Sequence, residues 1–311
     1  MKKETTLDKI LFISNYGTEG LGSTQEYLIR VMKRRGNEVY HLRSRDGNIL
    51  TQIAKNKIPA VDYILMFEGE LDRAPAGVSK LKIPKVWWFY DSIVLFQQQV
   101  NWAMQTDADL IFVRDQRDLW KFKSALGGKV FWLTMGYDET LWRPIPSEKK
   151  YDIGFIGWTS EERGKLLNQL AVGGRKVFAH TKAPNTWGET KFIYDNGERW
   201  DYDKCSELYS SSKLGFHHAF RGDATWRPLE VSGCGTACLT DKMDSIGDMF
   251  DIKKELILYE NEKDMEELSD YYLEHDEERE KIAKTAYNNV IKNHTWDARL
   301  NVIENEVKKL I

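Results

Sequence analysis

The sequence predicts an α/β protein made of two Rossmann-like halves, each a doubly wound parallel sheet. Three observations lead there. Short apolar runs of strand length alternate with stretches of helical periodicity from residue 10 nearly to the end. The alternation breaks once, at Pro144 and Pro146 followed by Ser147, Glu148, Lys149 and Lys150, and then restarts. The 311 residues exceed what a single core usually spans, so the break reads as a domain boundary. The expected division is a first domain over 1–145, a second over 146–295, and a closing helix over 296–311.

Residues 10–14 read as a buried strand, followed by a loop carrying Gly17, Gly20 and Gly22. An amphipathic helix over 23–35 ends at Gly36, which suits a C-cap. Strands are expected at 39–42, 63–67, 85–90, 110–113 and 130–134, with helices at 49–55, 93–106 and 117–125 between them. The first loop does not match G-x-G-x-x-G, and no acidic residue clearly ends the second strand, which argues against a dinucleotide. After the break, a strand over 152–156 runs through Gly157, Trp158, Thr159 and Ser160 into a helix over 161–170. Strands follow at 176–179, 214–217, 237–240 and 256–259. Helical patterns lie at 202–210, 226–231, 263–273, 277–293 and 296–310. Two such sheets would leave a ligand cleft outside the carboxyl ends of their strands.

Composition narrows the function classes. Hydrophobic residues make up 41% and charged residues 30%, an ordinary globular balance. Residues 1–145 hold 21 basic and 17 acidic side chains and the remainder 24 and 31, so neither half has the basic excess of a duplex-DNA binder. Three cysteines, Cys205, Cys234 and Cys238, lack the pairing of a disulfide framework or a zinc site. The first apolar stretch, residues 10–13, is too short for a signal sequence or a membrane span. A cytoplasmic protein without stable membrane insertion is expected.

The chemistry-bearing residues concentrate in RGDATWRPLEVSGCGTACLTD, residues 221–241. Arg221 and Arg227 present forks suited to phosphate oxygens. Glu230 is an acceptor-only carboxylate able to take two vicinal hydroxyls. Gly233 and Gly235 let backbone approach a ligand. Each has a plainer alternative: Glu230 complementing a helix dipole, the arginines paired with Glu230 or Asp223, and the glycines ending a helix. Gly157 and Trp158 close a strand at a helix N-terminus suited to phosphate, with Arg163 on the first turn. Asp91 ends a strand where open sheets place reactive groups, and is a candidate base; the alternative is an N-cap. His217 is a candidate partner for phosphate or sugar. His217 and His218 have no third ligand at metal spacing, so no metal is expected.

Four segments together resemble the nucleotide-sugar-dependent glycosyltransferases of GT-B fold, particularly the spore-maturation-type group. They are Tyr151 to Gly157 followed by Glu162 and Arg163; Ser212 to Phe216; Arg227 to Gly235, similar to R-x-F-E-x-x-A-C-G; and His294-Thr295-Trp296 with Arg299, similar to H-T-Y-x-x-R. They occur in the family's order over roughly residues 108–300. The resemblance implies that Glu230 binds the donor ribose, that Arg163 meets its phosphates, and that Gly20 and Gly22 face the cleft from the acceptor side. It implies that the last helix crosses back to the first domain and that neither cofactor nor metal is needed. The family's paired acids, with seven residues between them, would place the first member at Gly222, which is not an acid; Asp223 is one position off. The expected partners are a nucleotide-sugar donor, most readily a UDP-sugar, and an acceptor that is a small molecule, glycan, protein or modified nucleic acid. The alternatives are a nucleotide-sugar or glycan-binding protein without turnover and an NDP-sugar epimerase.

Overall fold

The computed structural model describes residues 6–15, 24–68, 73–89, 91–181, 190–195, 201–219 and 225–311. Its contacts divide the chain into two units: residues up to Gly136 together with Trp296–Ile311, and Tyr137–Thr295.

Unit 1 holds β1 (Lys9–Ile13), α1 (Thr24–Arg34), β2 (Glu38–Leu42), α2 (Ile49–Lys55), β3 (Tyr63–Phe67), β4 (Lys85–Phe89), α3 (Ser92–Thr106), β5 (Leu110–Val113), α4 (Leu119–Leu126) and β6 (Val130–Trp132). The six strands pair in parallel in the order β2-β1-β3-β4-β5-β6. β3, β4 and β5 are buried along their whole length, as continuous apolar runs such as YILMF require of strands covered on both faces. Trp87 stacks on Trp102 of α3 at 5.9 Å, and its Nε1 donates to Thr106 Oγ1 at 2.8 Å, so a large ring enters the core with its polar atom satisfied.

Unit 2 holds β7 (Tyr151–Ile156), α5 (Glu161–Val172), β8 (Val177–His180), β9 (Ile193–Asp195), α6 (Tyr202–Ser210), β10 (Ser212–His217), α7 (Arg227–Gly233), β11 (Ala237–Asp241), β12 (Ile257–Tyr259), α8 (Glu262–Glu274) and α9 (Asp276–Asn293). Its sheet is also six parallel strands, in the order β12-β11-β10-β7-β8-β9. β7 and β10 lie side by side, and the connections from them run to opposite edges. Their shared carboxyl end is therefore the topological switch point. β9, a three-residue strand, was not among the strands expected from sequence.

The last helix, α10 (Trp296–Val307), groups with unit 1. Trp296 packs on Tyr27 at 6.5 Å and on Trp88 at 5.7 Å. Arg35 after α1 reaches Asp297, Asn301 and Glu304 along one face of α10. Arg299 Nε donates to Thr134 O at 2.8 Å.

The proline segment is not where the chain passes between units. That change falls at Gly136 and Tyr137, and residues 137–144 form a strap on unit 2. Tyr137 N donates to His294 O at 3.0 Å, Ser206 Oγ donates to Leu141 O at 2.7 Å, and Trp142 packs against Tyr202 and Tyr209. Prolines signalled an end of regular structure, whereas the boundary is set by which side chains the strap buries.

Candidate functional site

The site grows from the end of β7. Gly157 has φ +147°, a conformation that glycine tolerates and side chains rarely adopt, so the chain turns there before α5. Ser160 caps α5 by accepting from Arg163 N at 3.3 Å. Arg163 then folds back over the turn: its Nε donates to His218 O at 2.7 Å and its Nη1 to Trp158 O at 3.0 Å. These two bonds fix the guanidinium between the ends of β7 and β10.

Arg227 opens α7 and reaches the same place from the other side. Its Nη2 lies 4.0 Å from where a side chain on Gly157 would begin. A pocket of about 180 Å³ is lined by Phe155, Gly157, Trp158, Arg163, His217 and Arg227, with Ile156, Thr225 and Trp226 completing the wall. Burial pushes the Arg163 pKa down, and the Arg227 charge pushes it further the same way. Two guanidinium groups that repel each other across a small pocket form a place where an anion is stabilised.

His217 is buried at the end of β10. Its Nδ1 pairs with Thr240 Oγ1 at 2.8 Å and its Nε2 with Thr225 Oγ1 at 3.2 Å. Burial first, then Arg163 and Arg227, hold its pKa well below the ordinary histidine value, so it is a neutral imidazole at neutral pH. His218 turns the other way, pairing with Tyr259 OH at 2.8 Å. It lines a larger cavity of about 690 Å³ with Asp241, Tyr259 and the first turns of α5 and α8. Arg163 links the two spaces, lining the smaller and binding the His218 carbonyl.

Glu230 lies one turn into α7 and is 2% exposed. Its Oε2 accepts from Arg227 Nη1, so the paired reading of these residues describes the ligand-free protein, in a buried rather than a solvated setting. Burial pushes the Glu230 pKa up to about 7 even though the Arg227 charge pulls it down. The carboxylate therefore sits near its titration midpoint at neutral pH. The Arg227 guanidinium also lies over the Trp142 ring at 5.3 Å. Trp142 gave no sign in the sequence, because it comes to the site from the strap.

Gly233 and Gly235 pack beside the strap. Neither lines the pocket. A Cβ on Gly233 would collide with Tyr137 Cε2 and stand 3.2 Å from Trp142 O, and one on Gly235 would stand 3.5 Å from Pro144 Cγ. Their small size admits the strap. Arg221, Gly20, Gly22, Gly222 and Asp223 lie outside the described residues.

Asp91 is in unit 1. It occupies the N-cap position of α3, with φ −98° and ψ 39°, and its side chain makes no capping bond. Its backbone N–H donates to Glu68 Oε2 at 3.2 Å. Glu68 follows β3, is 3% exposed, and also accepts from Gln99 Nε2 at 2.6 Å. In the sequence Glu68 is a lone acid after an apolar run, a pattern that looks like a solvated loop residue. Among the described residues, no group of three or more His, Cys, Asp or Glu is placed to hold a metal ion, and no helix is long and apolar enough to cross a membrane.

Residues 160–305, which contain Arg163, His217, Arg227 and Glu230, match the glycosyl transferase-like family. The match covers a little under half of the chain, and the fold of the whole is GT-B. HepE of Anabaena in complex with UDP and glucose superposes with a TM-score of 0.70 at 14% identity, covering 97% of this chain and 100% of that one. A glycosyltransferase of Rickettsia africae gives 0.71 at 13% identity, covering 98% and 99%. An α-glucosyltransferase in complex with UDP-glucose and DNA containing an abasic site gives 0.70 at 14%, covering 96% and 98%. At these identities the likeness is one of fold. No curated protein matches the sequence. In this GT-B chain the pocket lies at the unit 2 switch point, where the ends of β7 and β10 meet.

Proposed function

We propose that the protein transfers a sugar from a nucleoside-diphosphate donor, a UDP-sugar, to an acceptor hydroxyl. The observation that carries this reading is the Arg163–Arg227 pocket at the switch point of unit 2. A diphosphate brings the negative charge that the two guanidinium groups lack. The complexes of HepE with UDP and with UDP-glucose support uridine as the base. The finer kinship with the spore-maturation-type group rests on the four ordered sequence segments.

In this mechanism the acceptor oxygen forms a bond to the anomeric carbon as the bond from that carbon to the diphosphate oxygen breaks. Charge builds on the leaving diphosphate, and Arg163 and Arg227 are fixed to meet it, so they lower the barrier as well as bind. His217, being neutral, hydrogen-bonds without adding charge. Glu230 accepts the ribose hydroxyls once the donor competes for Arg227. Asp91 takes the proton leaving the acceptor hydroxyl. The paired arginines do the work that a metal does in other transferases, so turnover should survive EDTA. A protein located in the cytoplasm would meet such donors directly.

Thermal shift over UDP-, GDP- and ADP-glucose, followed by an assay for released nucleoside diphosphate, tests the reading. Stabilisation by the UDP-sugar with slow release of UDP is expected. Binding without any release would favour the nucleotide-sugar-binding alternative, which Gly222 at the family's first acid position keeps in view. No stabilisation by any of the three would overturn the assignment.

A further inference from the structure

Trp142 stands beside Arg227 of the donor site and takes no part in the transfer steps themselves. It is 4% exposed and held from several sides. Its N–H donates to Asp138 O at 2.9 Å, and its ring meets Tyr202 at 6.2 Å and Tyr209 at 6.1 Å. The next residue, Arg143, donates its N–H to Ser206 Oγ at 3.4 Å. One face of this ring carries the Arg227 guanidinium at 5.3 Å, and that guanidinium in turn binds Glu230.

We propose that Trp142 is a positioning residue of the donor site: its indole face holds the Arg227 guanidinium against Glu230, and so sets the range of pH over which the ribose-binding carboxylate is ionised. The inference rests on the donor role proposed for Glu230. The aromatic face attracts the cation electrostatically, and buried settings strengthen that attraction. With the guanidinium held in place, its charge is the one that opposes the desolvation of Glu230. Among the described residues, the other titratable groups that feel the Glu230 charge are the Tyr209 hydroxyl on α6 and the Cys234 thiol after α7. Burial pushes both pKa values up, so both are neutral and contribute no charge. A loosened Arg227 would leave Glu230 buried with less compensation, and its midpoint would rise.

The experiment places singly and multiply fluorinated tryptophan at position 142 by codon suppression, which withdraws electron density from the ring while keeping its shape. W142F and W142L are made in parallel. The Glu230 carboxyl is titrated by carbon NMR in the ligand-free protein, and UDP-glucose affinity is measured at pH 6 and pH 9. A midpoint near 7 is expected for the natural residue, rising stepwise with fluorination, least in W142F and most in W142L. A rise of about half a unit lowers affinity roughly threefold at pH 6 and leaves it unchanged at pH 9. A Glu230 midpoint that ignores fluorination and both substitutions would overturn the role of Trp142. The carboxyl titration needs no donor, so that result is separate from failure of the donor reading. The donor reading fails instead if E230Q binds UDP-glucose as tightly as the natural protein.

Discussion

In unit 1 the strand order β2-β1-β3-β4-β5-β6 reverses between β1 and β3; in unit 2 the order β12-β11-β10-β7-β8-β9 reverses between β10 and β7. Each unit thus has its own switch point on a six-stranded parallel sheet, and the residues beyond the strands differ in kind. Unit 2 presents Arg163 and Arg227, with His217 held neutral between them. Unit 1 presents carboxylates: Glu68 after β3, accepting from Gln99, and Asp91 after β4. Near each switch point lies a buried glutamate, Glu230 in unit 2 and Glu68 in unit 1, and their partners differ. Glu230 faces a guanidinium, whereas Glu68 accepts from a neutral amide and a backbone N–H. On the proposed function, the cations suit a diphosphate and the carboxylates suit a hydroxyl that must lose a proton.

If that contrast is functional, changes in the two units should separate turnover from donor binding. The largest effect is expected from Asp91→Asn. General-base catalysis contributes about 10² to 10⁴ in rate. Turnover should fall by that order while UDP-glucose affinity by calorimetry stays near that of the natural protein. Normal turnover would return the reacting role to another residue.

A smaller effect is expected from pH, acting on unit 2. The Glu230 pKa is raised to about 7, so the carboxylate is increasingly protonated as pH falls below that value. Ribose hydroxyls favour the ionised form, so donor affinity should drop about tenfold per pH unit below 7 and level off above it. Binding near pH 7 should release protons, seen as a dependence of the binding enthalpy on buffer ionisation. In Glu230→Gln both the slope and the proton release should vanish.

The smallest effect on function is expected from Gly233→Ala. The added methyl has no room beside Tyr137, and overpacking of this kind costs about 1–3 kcal/mol. Chemical denaturation should show that loss, with donor affinity unchanged in the folded protein. A weakened donor affinity at full stability would bring Gly233 back into the ligand site.

The parts of this contrast that the sequence revealed are those encoded by neighbours along the chain. The alternation of apolar runs with helical periodicity gave both sheets, and the ordered motifs around Gly157, Arg163, Arg227 and Glu230 gave the pocket. β9 escaped notice because three residues, Ile193–Asp195, are too few to show a period. Trp142 and Glu68 escaped because their partners, Arg227 and Gln99, lie 85 and 31 positions away in sequence and only folding joins them. In the sequence Gly233 signals close approach without saying what approaches; in the structure Tyr137 of the strap stands against it.

The central claim is that the two arginines of unit 2 hold the donor diphosphate. It is tested most directly by titrating UDP-glucose into the natural protein and into the Arg163→Ala, Arg227→Ala double variant by calorimetry. A charged hydrogen bond contributes about 1.5–3 kcal/mol, so the account predicts a loss of affinity of roughly a hundredfold or more, with the double variant still folded. Equal affinity in the two proteins would contradict it.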